Sequence, residues 1–583
     1  MITLSRPVWS IKRLDHRSSK GRFKVYTICY LCVHESCESN WTPIESSKRK
    51  ATSIRLHIKS RLEAIMAPHT KDLAEVPRYL VIIVLAIVLC SYAIFRRFER
   101  SRRLRDFALK NECLEAPKRR QKWWKFGIDT IYESWRWKKE HKYLELLQHN
   151  FDNYGKTYTS KVLGVNKLTT IEPANVEAIL KTNWEDFIAS PARKVPLDGL
   201  VGPGVLTADG TLWKFHRKLM MPSFNRKALE DLTIYSEHFD RFEQHLPSDD
   251  QAVDLQGLFF RLTLDSSTAH LLGCSSNTLA SSSEVSPEPE LAGAFDRAQR
   301  AAVEKFALGW ADRLRPQPQY WRDTKLLWNF AEHYVNVALK RKQERKACSD
   351  NKPATDVKQS NFLDEICERT TNADDIHKGA LHLLVAGRDS TASLLSNLWF
   401  MLARDQRVWL KLKAEIDTLG GAVPDNEAVR QMPYLRACIN ESLRCHPAIP
   451  WSLRAAARDT TLPAGGGPDG HAPIALAKGT TVLVPLYCLH RRKEFWGPDA
   501  DTFRPERWDE GSPANWTYIP FLAGPRMCLG YQFAINTASY VTIRLMQKLE
   551  SVTAADDEPW KEELGLSMTS ADGARVHLHF KNA

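Results

Sequence analysis

With 583 residues, of which 43% are hydrophobic and 10% aromatic, the chain can bury a core large enough to enclose a cofactor, and that composition excludes a disordered or fibrous protein. Its formal charge of +13 suits an anionic membrane or an acidic protein partner, and no nucleic-acid motif accompanies it, so nucleic acid is not an expected partner. The 12 cysteines lack framework spacing, which excludes a secreted disulfide scaffold and suits a reducing compartment.

Residues 1–65 hold 13 Lys and Arg against 5 Asp and Glu, most of the basic excess. Seventeen uncharged residues follow at 79–95, YLVIIVLAIVLCSYAIF, at the short end of the ~17–25 needed to span a bilayer. The arginine-rich stretch 96–105 behind them favours the cytoplasmic side for everything downstream. A basic segment in front of the span competes with that flank, and a start at Met66 removes the conflict. The expected division is therefore an extension over 1–65 that is seldom or never translated, with an Arg-rich, acid-poor targeting segment as the alternative, a membrane anchor over 66–105 with its span at about 79–95, and a large catalytic domain over 106–583. The run KRRQKWWKFG at 118–127 has the composition of a membrane headgroup interface.

Farther along, Ile188 to Val205 is apolar and rich in turn residues, suited to contact with a lipophilic chain. Trp213 and Arg217 stand four apart and share a helical face, with His216 between them expected at the surface. Polar stretches at 275–290 and 347–361 read as exposed loops. From about Asp374 to Asp405 an unbroken helical pattern runs on the order of 45 Å, and inside it stands Ala386-Gly387-Arg388-Asp389-Ser390-Thr391. Glu441 and Arg444 are one helical turn apart, Arg454 follows in an extended segment, and a glycine-rich hairpin occupies Gly465 to Gly470. Arg507 sits in Phe503-Arg-Pro505-Glu-Arg507-Trp508. Last comes Phe521-Leu-Ala-Gly524-Pro-Arg526-Met-Cys528-Leu-Gly530, a lone cysteine between glycines, ahead of a helical pattern. Gly524 and Gly530 permit backbone angles that side chains forbid, and Arg526 can hydrogen-bond a carboxylate of a bound group.

Phe521, Gly524, Arg526, Cys528 and Gly530 match the ligand loop of the cytochrome P450 family at all five positions, and over roughly 105–583 the chain resembles that family. The segment Leu453 to Pro463, the glycine hairpin, His490 to Lys493, Phe503 to Trp508 and Phe533 to Val541 resemble its branch of fungal n-alkane and fatty-acid hydroxylases. The resemblance implies a mainly α fold with small β-sheets behind one transmembrane helix. It also implies haem b, with Cys528 as the thiolate ligand of the iron and Trp213, Arg217, Arg454 and Arg526 toward the propionates. Ala386 and Gly387 would leave room for dioxygen, and Asp389 and Ser390, with Thr391 following, would relay protons. Glu441, Arg444 and Arg507 would hold the ligand loop.

The implied activity is hydroxylation of a fatty-acid or alkane-like substrate with electrons from NADPH-cytochrome P450 reductase, on a single-pass protein of the endoplasmic reticulum membrane with its catalytic domain cytosolic. No flavin or NADPH fingerprint appears in the chain itself. The family usually has threonine where this chain has Ser390; Leu522-Ala523, Tyr531 and Asn536-Thr537 also depart from the branch. These differences leave room for a tailoring oxidase of polyketide or terpenoid biosynthesis. An oxygen-independent haem-thiolate isomerase or dehydratase is disfavoured by the Asp389-Ser390 pair, and a membrane-anchored binder without turnover by the pair together with the thiolate loop.

Overall fold

The structure is a computed structural model, and it describes residues 78–122, 127–224, 235–247, 251–280, 289–308, 315–348, 361–511 and 513–581, with Leu232 and Asp312. The expected extension 1–65, residues 123–126 of the interfacial run and most of the loop expected at 347–361 lie outside the described residues. These residues fall into two compact units, one ending at Arg96 and one beginning at Arg97. In the first, helix Arg78–Lys110 begins, and Ile83, Val84, Leu85, Ile87, Val88, Leu89, Ile94 and Phe95 are exposed on it. Among the described residues no helix is long and apolar enough to cross a membrane. The expected span opens with four residues whose side chains are outside the described ones.

The second unit is mainly helical with small sheets, as the resemblance implies. Its axis is the helix Ala373–Leu402, opened by Asn372, whose side chain accepts from the Asp374 N–H. It stops at Leu402, short of the expected Asp405, because Asp405 is used as the N-cap of the next helix, accepting from the Val408 N–H at 3.1 Å. Twenty-one of its thirty residues are buried, so this helix is core on almost every side. Helices Leu255–Leu272, Pro318–Cys348, Pro433–Cys445 and Tyr531–Lys548 pack along it.

Aromatic side chains knit these helices together. Phe242 stacks on Phe259 with ring centres 5.6 Å apart, and Trp399 meets Trp409 edge-on at 6.0 Å. Both indoles are fully buried.

A separate apolar cluster lies under a five-stranded sheet with the order Thr157–Val162, Val165–Thr170, Thr481–Pro485, Trp451–Ala456, Phe187–Ala189. Pairing is antiparallel except between Val165–Thr170 and Thr481–Pro485. In register, Arg454 stands between Val482 and Ala189, which fixes where its side chain leaves the sheet. The glycine hairpin forms as expected, with strands Thr460–Gly466 and Ala472–Leu476 antiparallel.

The polar stretch after residue 275 departs from expectation. Ser276 and Leu279 are buried, because the Asp265 carboxylate draws the chain inward. It accepts from Ser276 Oγ at 2.7 Å, the Thr278 N–H at 2.7 Å, Thr278 Oγ1 at 2.9 Å and the Leu279 N–H at 2.9 Å. One buried acid with four donors turns a hydrophilic stretch into part of the core.

Trp399→Ala should cost about 3–5 kcal/mol by opening a cavity in the largest cluster. Urea unfolding of the purified protein reads this directly, and an unchanged midpoint and slope would mean that Trp399 does not hold the helices together.

Candidate active site

The cysteine loop is built by its own backbone. The Leu522 N–H bonds to Ile519 O at 2.9 Å, the Met527 N–H to Gly524 O at 3.0 Å, and the Cys528 N–H to Phe521 O at 3.0 Å. Gly524 has φ +69°, and a Cβ there would lie 1.9 Å from Leu180 O, so only glycine fits. Leu522 holds φ +58°, a left-handed conformation that costs a non-glycine residue energy and persists only where its surroundings enforce it. Gly530 corrects the expectation: its φ is −88°, and a Cβ there would meet Phe224 no closer than 3.7 Å. Neither backbone nor protein neighbours require glycine at 530.

Behind the loop lies the buried acid Glu441, gripped by two guanidiniums. Arg444 donates from Nε and Nη2 to its two oxygens, each at 2.9 Å, and Arg507 Nε donates at 2.8 Å. Trp508 Nε1 and the Arg504 N–H complete its shell at 3.1 and 2.9 Å. The guanidinium of Arg444 also bonds to the carbonyls of His490, Ala500 and Thr502. His490 passes the constraint on, its Nε2 accepting from the Ile519 N–H at 3.0 Å. Burial pushes the pKa of His490 down to about 3, so the ring is neutral and can accept there.

In front of the loop, helix Gly210–Met220 supplies Trp213 and Arg217. Arg217 Nη1 donates to Met527 O at 2.9 Å, so in this structure it grips the loop itself. Arg526 lies over the Trp213 ring at 4.4 Å and donates to Ala208 O at 3.2 Å and Asp209 Oδ1 at 2.6 Å. Asp209 also accepts from the Ala189 N–H at 2.9 Å. Its carboxylate therefore serves the site and does not cap the helix that follows it.

His216, expected at the surface, is buried. Its helix turns that face toward the long helix, where Asp375 lies 3.9 Å away.

Arg193, from the segment expected to touch substrate, joins this group although nothing in its local sequence marks it. Burial, then the charge of Arg526, lowers its pKa. Arg454 is pushed down to about 9 by burial and by the charges of Arg193 and Arg526. Arg454 and Arg526 stand near one carboxylate, Asp209, with Arg193 and Arg217 close to Arg526, and Arg526 Nε is buried without a hydrogen-bond partner. Such a cluster of partly buried cations is poised for a ligand with more than one negative charge.

Cys528 is exposed, yet desolvation raises its thiol pKa, against the pull of the Gly530 N–H and of Arg217. A thiol that is open to solvent on a loop held by its own backbone bonds can take a ligand. Haem b fits this donor set: the thiol offers a ligand to its iron, and the guanidiniums offer partners to its two propionates.

On the long helix, Ala386, Gly387, Asp389 and Ser390 are half-buried, and Ser390 Oγ donates to Ala386 O at 2.7 Å. Thr391 is buried, about 100° around the helix from Ser390, and does not share the half-open face. A Cβ at Gly387 would meet nothing closer than Ser267 Oγ at 3.4 Å, an ordinary contact. Desolvation raises the pKa of Asp389, with Arg388 opposing. Helix Tyr531–Lys548, which follows Cys528, packs along the long helix, so the thiol and the Ser390 face belong to neighbouring elements.

A family model described as Cytochrome P450 matches residues 117–575. The chain is 38% identical to "Cytochrome P450 monooxygenase himC" of Aspergillus japonicus over 78% of this chain and 81% of that one. It is 36% identical to "Cytochrome P450 monooxygenase fsdH" of Fusarium heterosporum over 85% and 88%. To "Cytochrome P450 52A13" of Debaryomyces hansenii it is 33% identical over 85% and 97%.

The two loop glycines should behave differently. Gly524→Ala should destabilise the protein by at least about 1–3 kcal/mol, from the left-handed backbone alone. Gly530→Ala should leave the stability of the haem-free protein within about 0.5 kcal/mol, with any loss confined to haem retention. Thermal unfolding with and without haem separates them, and equal losses in the haem-free state would contradict the loop geometry.

Proposed function

The chain belongs to the cytochrome P450 family, whose members carry haem with an axial cysteine thiolate, and from that premise we propose that it hydroxylates a long-chain lipophilic substrate with electrons from NADPH-cytochrome P450 reductase. The reaction balances as substrate C–H, O2, NADPH and one proton giving alcohol, water and NADP+. The observation that carries the reading is the open thiol of Cys528 on a rigid loop that Arg217 grips and beside which Arg526 keeps a buried Nε without a partner.

In this reading Cys528 ligates the iron, and the bound haem supplies the activation of dioxygen. Arg193, Arg217, Arg454 and Arg526 hold the propionates, with Trp213 stacked under Arg526. Phe521 fixes the backbone of the ligand loop, and Glu441, Arg444 and Arg507 would keep that loop rigid as the thiol, on binding the metal, releases its proton to solvent. Asp389 holds a proton more readily than an ordinary carboxyl, and Ser390 can pass it on by exchanging its bond to Ala386 O for one to water or substrate. Serine lacks the β-branch that stiffens the usual threonine, so proton delivery is less tightly constrained here.

The substrate class follows from resemblance to the fungal n-alkane and fatty-acid hydroxylases and from the apolar segment 188–205. A tailoring role on a polyketide or terpenoid is the second reading, favoured by Ser390 and by Leu522-Ala523 in the ligand loop. The uncharged stretch 79–95 and the arginines behind it support a single span in the endoplasmic reticulum membrane with the catalytic domain cytosolic.

Cys528→Ala should abolish the red-shifted carbon monoxide band of a thiolate-ligated haem; a normal band in the variant would remove Cys528 as ligand. Ser390→Ala should raise peroxide released per NADPH consumed several-fold, and equal coupling in variant and parent would take Ser390 out of the relay. A spin-state shift on titration with long-chain fatty acids supports the first substrate class. Silence there, with a shift from a polycyclic ligand, supports the second.

A further inference from the structure

Arg388 is a buried cation shared by two carboxylates. Its Nη1 lies 2.5 Å from Asp296 Oδ1, on helix Pro289–Leu308, and 3.2 Å from Asp389 Oδ1, its own neighbour in the chain. Adjacent residues on a helix do not face each other, so the contact with Asp389 is the poorer one. The guanidinium is also fixed between two rings, 5.1 Å from Phe260 and 5.0 Å from Phe295. It cannot leave, and the carboxylates must divide it between them.

We infer that Asp296 is a positioning residue for the proton relay: by taking most of Arg388 it leaves Asp389 free to pick up and deliver a proton. The inference rests on the relay reading given above. Were helix Pro289–Leu308 to draw away, Arg388 would turn wholly to Asp389 and hold it ionised, so proton delivery would run only with that helix seated.

Charge and exposure agree with this assignment. The side chain of Asp296 is 45% exposed, that of Asp389 14% and that of Arg388 4%, so Asp296 is the partner that can move into water. The charged groups acting on Asp389 are Arg388 from its own helix, which lowers its pKa, and Asp296, which raises it. From helix Pro289–Leu308 the neutral amide of buried Gln299 also faces it and, like Arg388, lowers its pKa. From helix Leu255–Leu272 the neighbours at this level are Phe260 and Ser267.

The sign follows. Removing the charge of Asp296 removes a group that raises the pKa of Asp389 and releases one that lowers it, so both changes act downward. If protonated Asp389 is the working form, activity falls as pH rises through its pKa, and the alkaline limb moves to lower pH.

The test uses Asp296→Asn in the full chain, reconstituted with reductase and showing the parent's carbon monoxide spectrum. Turnover at neutral pH should fall about three- to tenfold, the equivalent of roughly half to one pKa unit, with the substrate's spectral affinity unchanged. The alkaline limb should shift to lower pH and the solvent isotope effect should grow. Independently of turnover, the infrared carboxyl band that is absent in Asp389→Asn should titrate at lower pH in Asp296→Asn, and Asp296→Glu should restore the parent's value. High salt on the parent should move the same band in the same direction, because Asp296 is half-exposed, and this check needs no variant. A band and a pH limb unmoved in Asp296→Asn, or no rescue by glutamate, would overturn the inference while leaving the relay standing. Parent-like turnover in Asp389→Asn would overturn the relay and the inference together.

Discussion

A single buried carboxylate, Glu441, carries the architecture of the active site. It has no exposed surface and binds two guanidiniums, an indole N–H and a backbone N–H. Taking such charges out of water costs several kcal/mol per ion, and the cost is offset only where geometry and hydrogen bonding are near complete. Here they are. Burial works against the charge on Arg444, yet the bonds from Glu441 outweigh it and hold its pKa above the ordinary value. The remaining N–H groups of Arg444 and Arg507 reach the carbonyls of Trp496, Asp499, Ala500 and Thr502, so the ion cluster also satisfies a stretch of irregular chain that has no strand or helix to satisfy it.

From that cluster, rigidity passes to the cysteine loop through His490 and Ile519. On its other side the loop is held by Arg217 at Met527 and by the contact of Gly524 with Leu180. Cys528 is thus fixed from two directions before any iron is present. The arginines arranged around it are costly without an anionic partner, so the site stores unfavourable charge that the ligand neutralises. The same logic recurs at Asp265, where one acid folds down a polar segment, and at Arg388, where one cation is divided between two acids.

The sequence was most legible where function and local backbone coincide. The five ligand-loop positions and the acid-alcohol pair each lie within a short motif, Glu441 with Arg444 and Arg507 lie in two, and the long helix announces itself by an unbroken pattern. Arg193 escaped because its partners, Arg454 and Arg526, are hundreds of residues away, and only the pairing of Phe187–Ala189 with Trp451–Ala456 brings them together. His216 was misjudged for the same reason, since its burial is decided by a helix far along the chain. Gly530 looked like a conformational glycine and adopts ordinary angles. Thr391 stood beside a hydroxyl that faces the half-open side of the helix, and helical geometry turned it into the core. Composition marks the stretch after residue 275 as a polar loop and does not register a buried acid that gathers its donors.

The loop and arginines at Cys528 suit an iron-bearing dianion held by sulfur. X-ray absorption at the iron edge of the purified, resting protein tests it most directly. Sulfur in the coordination sphere of the iron, lost in the Cys528→Ser protein while the haem is retained, is the predicted result. A coordination sphere of nitrogen and oxygen alone in the unmodified protein would contradict the account.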